Sequence, residues 1–236
     1  MVGGEDCGGN VLLPEWQGRV TMLAAISGTG RAMPPMYSIE GVNMMQSTHL
    51  ENAKRNGLWI PGTAMAPSGI NHKTKKPVKG GMTRELWREY FLKVFLPNLS
   101  EAEKPALLII DGHDSHFDLE FMLQCHAQGV DVVQEPANCS SVLQALDQVC
   151  FKVLKLEWRK EMANWKKTLG IPFTSTKARM TRWDVPILLA RPFRKAFSME
   201  NCLASFRRAG IEPLDVNVPL ARVPVPGNSR ARSLSS

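Results

Sequence analysis

The sequence predicts an α/β architecture, a mixed sheet flanked by helices, and two stretches carry that prediction. The first is "ALLIIDGHDSHFDLEFMLQCHAQGVDVVQEP", residues 106–136, where an apolar run, a helical pattern and a β-branched run follow one another. A strand, helix, strand unit of this length joins parallel strands, and parallel sheets are covered by helices. The second is "RVTMLAAISGTGRAMPPMYSIEG", residues 19–41, where two apolar runs flank a Gly-Thr-Gly turn. That pattern reads as an antiparallel hairpin.

The elements follow in order. Residues 1–18 read as a short lead-in. In the hairpin, residues 19–27 make one strand and 32–41 the other, with Pro34 and Pro35 keeping the second near a sheet edge. Residues 47–81 are rich in Gly, Pro and basic side chains and read mostly as loop, with a short strand at "GLWIPG", 57–62. In "TRELWREYFLKVFLPNL", 83–99, helical spacing puts Leu86, Trp87, Tyr90, Phe91, Val94 and Phe95 on one face, with Thr83 as cap and Pro97 as stop. Residues 106–110 form the strand that this helix leads into. Residues 118–129 read as a helix with Asp118 as cap, Gly129 at its C-terminal end, and Leu119, Met122, Leu123 and His126 on its inner side. His126 is read there as a satisfied core histidine. After the strand at 130–136, residues 141–167 read as one long amphipathic helix with Leu146, Val149, Val153, Leu156 and Met162 among its apolar positions. Trp158 and Trp165 on it are expected to pack in the core rather than stack on bases. Residues 184–197 and 198–210 read as two helices, the second closed by Gly210. The chain from Pro213 on is rich in Pro, Arg and Ser and reads as disordered, leaving a globular unit at 19–215 and a basic tail at 216–236.

Composition narrows the function. A chain of 236 residues with 44% hydrophobic content is long enough for one substantial core. No window reaches the apolar length of a membrane span, and the N-terminus lacks a secretion leader's pattern, so a soluble, non-membrane protein is expected. The five cysteines, Cys7, Cys125, Cys139, Cys150 and Cys202, are odd in number and contain no C-x-x-C, which speaks against a disulfide framework or zinc knuckle and for a reducing compartment. The net charge of +7, clustered at 71–81, 155–167, 206–210 and 228–233, suits an anionic partner such as nucleic acid.

Chemistry concentrates where the strand 106–110 ends. Ligands bind beyond the carboxyl ends of parallel strands, and Asp111 sits there, followed by Gly112. Asp111 alone could equally be a turn aspartate accepting amide hydrogen bonds. Asp147, 36 positions on and after a strand that should neighbour the first, favours the functional reading. Two aspartates on adjacent elements suit Mg²⁺, a hard cation that keeps waters which phosphate oxygens can replace. Of the histidines, His113 is read as a hydrogen-bond partner of Asp111 or a phosphate and His116 as structural, because H-x-x-H in a turn lacks the geometry of a zinc protease helix. Gln144 is read as a helix cap. Lys152, Lys155, Arg159 and Lys160 are the candidate phosphate contacts, giving affinity without sequence selectivity.

Four separated segments resemble the DDE superfamily endonucleases of the pogo, Tigger and jerky type, within the Tc1/mariner transposases. They are Asp111-Gly112-His113-Asp114-Ser115-His116 at the end of a strand, Pro136 after the next strand, Leu143-Gln144-Ala145-Leu146-Asp147 opening a helix, and "FRRAGIEPLD", 206–215, at the close. The hairpin at 19–41 is similar too. The resemblance implies an RNase H-like fold and DNA strand cleavage and joining by three acids with Mg²⁺ or Mn²⁺, of which Asp111 and Asp147 match the second and third. It also implies DNA as partner, a nuclear location and possible homodimerisation. The family's first acid, on a strand reading N-x-D-E-T before the hairpin, has no counterpart, since Glu5 and Asp6 lie in "GGEDCGG", and Ala145 replaces the usual proline. The upstream DNA-binding region is missing too, so a fragment, a decayed copy or a misplaced gene start is expected. Three functions stay open: a DDE endonuclease, active if a first acid is supplied; a catalytically inactive DNA-binding remnant, the form expected of the chain as it stands; and an unrelated metallohydrolase built on Asp111, His113, Asp114 and His116.

Overall fold

The computed structural model describes residues 10–11, 20–40, 48–69, 81–111, 119–136, 138–169 and 180–223. Its strands form two sheets. The first has the order β1 (Asn10–Val11), β2 (Val20–Leu23), β3 (Met36–Ile39), β4 (Ala64–Pro67). β2 and β3 are the expected hairpin, antiparallel with Val20 opposite Ile39, and β4 runs parallel to β3. β3 therefore lies between two strands and not near an edge. Pro34 and Pro35 are tolerated because they precede the paired residues, so no ladder donor is lost. The region expected to be mostly loop holds helix α1 (Thr48–Arg55), and its strand is Ala64–Pro67 rather than 57–62. Gly57 and Gly62 have φ of 68° and 78°, values that turn the chain where a strand was expected.

Helix α2 (Arg84–Tyr90) starts where Thr83 Oγ1 accepts a hydrogen bond from the Leu86 amide at 3.3 Å. It continues through a wider π-helical segment, Phe91–Phe95, and all six residues of the predicted apolar face are buried. The second sheet is the predicted parallel pair, β5 (Ala106–Ile110) and β6 (Val130–Gln134), connected through α3 (Leu119–Ala127). One face of this pair, with Ile110 and Val130, packs into a core with Trp87, Phe91 and Phe121. On the other face Leu107, Asp131 and Val133 are exposed, so helices cover one side only among the described residues.

α3 corrects two expectations. Phe121 and Cys125 face inward, Leu119 and Leu123 are exposed, and His126 is a surface residue with Nδ1 2.9 Å from Asp131 Oδ1. Phe121 meets Trp87 edge-on with ring centroids 4.2 Å apart, and that contact selects the buried face. The expected single helix over 141–167 is three: α4 (Ser140–Leu143), α5 (Ala145–Gln148) and α6 (Cys150–Thr168). Gln144, with ψ of 107°, and Val149, with φ of −133°, depart from helical geometry and separate them. Trp158 and Met162 are buried as expected and Trp165 packs beside them, while Leu156 is exposed.

α7 (Asp184–Ala196) and α8 (Met199–Ala209) match the two predicted helices, with α8 capped by Ser198 and ended by Gly210 at φ 71°. α6, α7 and α8 pack with the hairpin into a second core. Beyond them the chain expected to be disordered first forms α9 (Asn217–Leu220), held by Arg222, which donates to Gln148 Oε1 at 2.5 Å and to the Arg208 carbonyl. Cys125, Cys139, Cys150 and Cys202 are all free thiols.

Candidate active site

One face of β5, carrying Ala106, Leu108 and Ile110, packs against the core, and the strand stops at Asp111, which is 5% exposed. β5 and β6 are in parallel register with Ile110 opposite Gln134. One further step pairs Asp111 with Glu135, and the ladder does extend that far, since the Glu135 amide donates to the Ile110 carbonyl at 2.8 Å. Two acids therefore leave the carboxyl ends of neighbouring parallel strands side by side. Pro136 follows, which has no amide to continue the ladder.

Both carboxylates line a cavity of about 310 Å³ between the hairpin, α2, β5 and the start of α5. Its apolar wall includes Met33, Trp87, Phe91 and Leu146. Gln144 sits at the N-cap position of α5, but its side chain makes no capping hydrogen bond and instead lines this cavity, 3% exposed. Asp147, half-buried on α5, follows Leu146.

The electrostatics tie the three acids together. Burial pushes the Glu135 carboxyl up to about 7, and the negative charges of Asp111 and Asp147 push in the same direction. Charges act over such a group only from nearby, so Asp111 and Asp147, 36 positions apart in sequence, converge on one region. Glu135 is 9% exposed, and its Oε2 atom has no hydrogen-bond partner among the described residues. An all-carboxylate donor set and an orphaned buried oxygen fit a hard divalent cation. As placed, no group of three or more His, Cys, Asp or Glu side chains among the described residues is arranged to hold a metal ion.

The sequence reading passed over Glu135. Its signal was nonetheless present: "VDVVQEP" ends an apolar strand on an acid just as "ALLIID" does, and the parallel register brings the two ends level. His113, Asp114 and His116 lie outside the described residues, and so does Asp118 as a cap. On α6, Lys152, Lys155 and Arg159 share an exposed face at helical spacing. Lys160 is also exposed but is bonded to Glu157 at 2.5 Å, and Glu157 binds Lys195 at 2.8 Å as well.

Residues 17–209 match the family model of the DDE superfamily endonucleases. The chain is also 26% identical over 215 residues to a Cochliobolus lunatus protein named MFS-type transporter clz9, an overlap covering 90% of this chain and 21% of that protein. It thus spans about a fifth of the length of that curated relative. Among the described residues no helix is long and apolar enough to cross a membrane. No solved structure matches.

Proposed function

The chain belongs to the DDE superfamily endonucleases, whose RNase H-like α/β fold its mixed sheet and flanking helices follow, and on that premise we propose that it cleaves phosphodiester bonds in DNA with Asp111 and Asp147 holding Mg²⁺ or Mn²⁺. The observation that carries this reading is the buried Asp111 at the carboxyl end of β5, lining the cavity, with Asp147 on α5 next to Leu146 of the cavity wall. Bound there, the cation would supply Lewis-acid stabilisation of the charge developing on phosphoryl oxygens.

The chain's own residues set the conditions for that chemistry. Strand β5 is anchored by Ile110, 1% exposed, so Asp111 is presented from a rigid backbone. Trp87 and Phe91 in the cavity wall keep water away and strengthen the electrostatics near the acids. Lys152, Lys155 and Arg159 offer a row of cations for the DNA backbone. A DNA substrate makes the nucleus its working compartment.

The test is Mn²⁺-dependent nicking of supercoiled plasmid by the parent chain, Asp111→Asn and Asp147→Asn. Nicking by the parent and none by either variant is the expected result. If none of the three nicks while salt-sensitive DNA binding persists in all, the chain is a DNA-binding remnant and the proposal fails.

A further inference from the structure

We infer that Glu135 is a third metal-ligating carboxylate of this site, taking the same divalent cation as Asp111 and Asp147. The inference rests on the reading of Asp111 and Asp147 as a metal site and adds to it a residue from another strand. Position is the first argument: the register that places Asp111 at the end of β5 places Glu135 level with it at the end of β6, and both line one cavity.

The second argument is the state of the side chain. A buried carboxylate oxygen without a hydrogen-bond partner loses hydration and gains nothing in return, and two further carboxylates close by make the charge more unfavourable still. Lysine or arginine could neutralise such a group, as Lys160 and Lys195 do for Glu157, but no ion pair to Glu135 exists among the described residues. A divalent cation would offset two of the three negative charges at once. The acids do not enclose a metal position as they stand, so binding must draw Glu135 inward. No hydrogen bond to Oε2 has to break for that movement.

The experiment is titration of the metal-free full chain with Mn²⁺, followed by isothermal calorimetry and by the loss of the free-ion electron paramagnetic resonance signal. The parent, Asp111→Asn, Asp147→Asn and Glu135→Gln are compared, each checked for folding by circular dichroism. One site in the parent, lost in both aspartate variants and at least about tenfold weaker in Glu135→Gln, is the expected pattern. A Glu135→Gln affinity equal to the parent's, with the aspartate variants silent, overturns the role of Glu135 and leaves the two-aspartate site standing. A parent that binds no Mn²⁺ overturns both. Should Glu135→Gln fail to fold, Glu135→Leu, matched to the buried surroundings, is read against the same outcomes.

Discussion

Glu135 and Glu157 carry the same carboxylate and receive opposite treatment from the fold. Glu157, on α6, accepts from Lys160 at 2.5 Å and Lys195 at 2.8 Å, and those hydrogen bonds hold its carboxyl below the usual range. Glu135 ends β6 in a buried cleft, with an orphaned oxygen, two acidic neighbours and a carboxyl pushed up to about 7. Other carboxylates follow the pattern of Glu157: Glu51 with Lys54, Glu89 with Lys93 and Glu103 with Arg31. A chain that pairs these acids with lysine or arginine leaves Glu135, at the ends of its parallel strands, without an ion pair among the described residues. What separates the two is pairing, since the Glu157 carboxylate is satisfied by two lysines and Glu135 Oε2 has no hydrogen-bond partner among the described residues.

Removing the acids beside Glu135 should therefore have the largest effect on function. Asp111→Asn or Asp147→Asn should reduce plasmid nicking on the order of 10³-fold, the scale of losing one electrostatic stabiliser of a developing charge. The cations divide in the same manner as the acids. Lys160 is committed to Glu157, whereas Lys152, Lys155 and Arg159 make no ion pair among the described residues. Replacing those three with Gln should flatten the dependence of log affinity for DNA on log salt by roughly 2–3 units, and Lys160→Gln by much less. Equal slopes for both would erase the division. A filter-binding series from 50 to 200 mM salt, on the order used to resolve such slopes, measures it.

The Glu135 carboxyl also makes a stability prediction whose sign can be fixed. Its value in the folded chain lies above that of the unfolded chain, so its contribution is fully present at pH below about 4.3 and is lost as pH rises through about 7. The metal-free parent should lose stability between pH 5 and pH 8, and Glu135→Gln should lose less. At pH 8 the variant should melt roughly 2–6 °C above the parent. Saturating Mn²⁺ should narrow that gap, because the cation offsets the same charge in the parent. Thermal melts at both pH values, with and without Mn²⁺, provide the check.

Much of this arrangement was legible before any coordinates. The strand, helix, strand pattern at 106–136 and the hairpin at 19–41 are local periodicities, and a buried strand ending on Asp111 is readable in one line of sequence. α3 was not readable in this way. Leu119, Phe121, Met122, Leu123 and Cys125 are apolar around much of the helix, and the contacts of Phe121 with Trp87 and Phe91 choose the buried side. The breaks at Gln144 and Val149 escaped for a related reason, since neither residue type interrupts a helix and the separation appears only in the backbone angles. Glu135 was hidden because its meaning lies in register, not in its neighbours: an acid before a proline says little until β6 lies against β5.

The smallest effect belongs to Glu157, and it tests the other half of the comparison. Its carboxyl is held below the usual range chiefly by the hydrogen bond from Lys160, then by that from Lys195. A lowered value means stability present above the unfolded-state pKa and lost as pH falls through the folded one, opposite in sign to Glu135. Both lysines are more than half exposed to solvent and lose freedom to form the contact, so little of the attraction survives as net stability. Glu157→Gln should therefore change the melting temperature at pH 8 by no more than about a degree. A loss as large as the gain from Glu135→Gln would mean that the α6–α7 contact through Lys195 holds the helices in place, and that paired and unpaired acids in this fold do not differ in the way their surroundings imply.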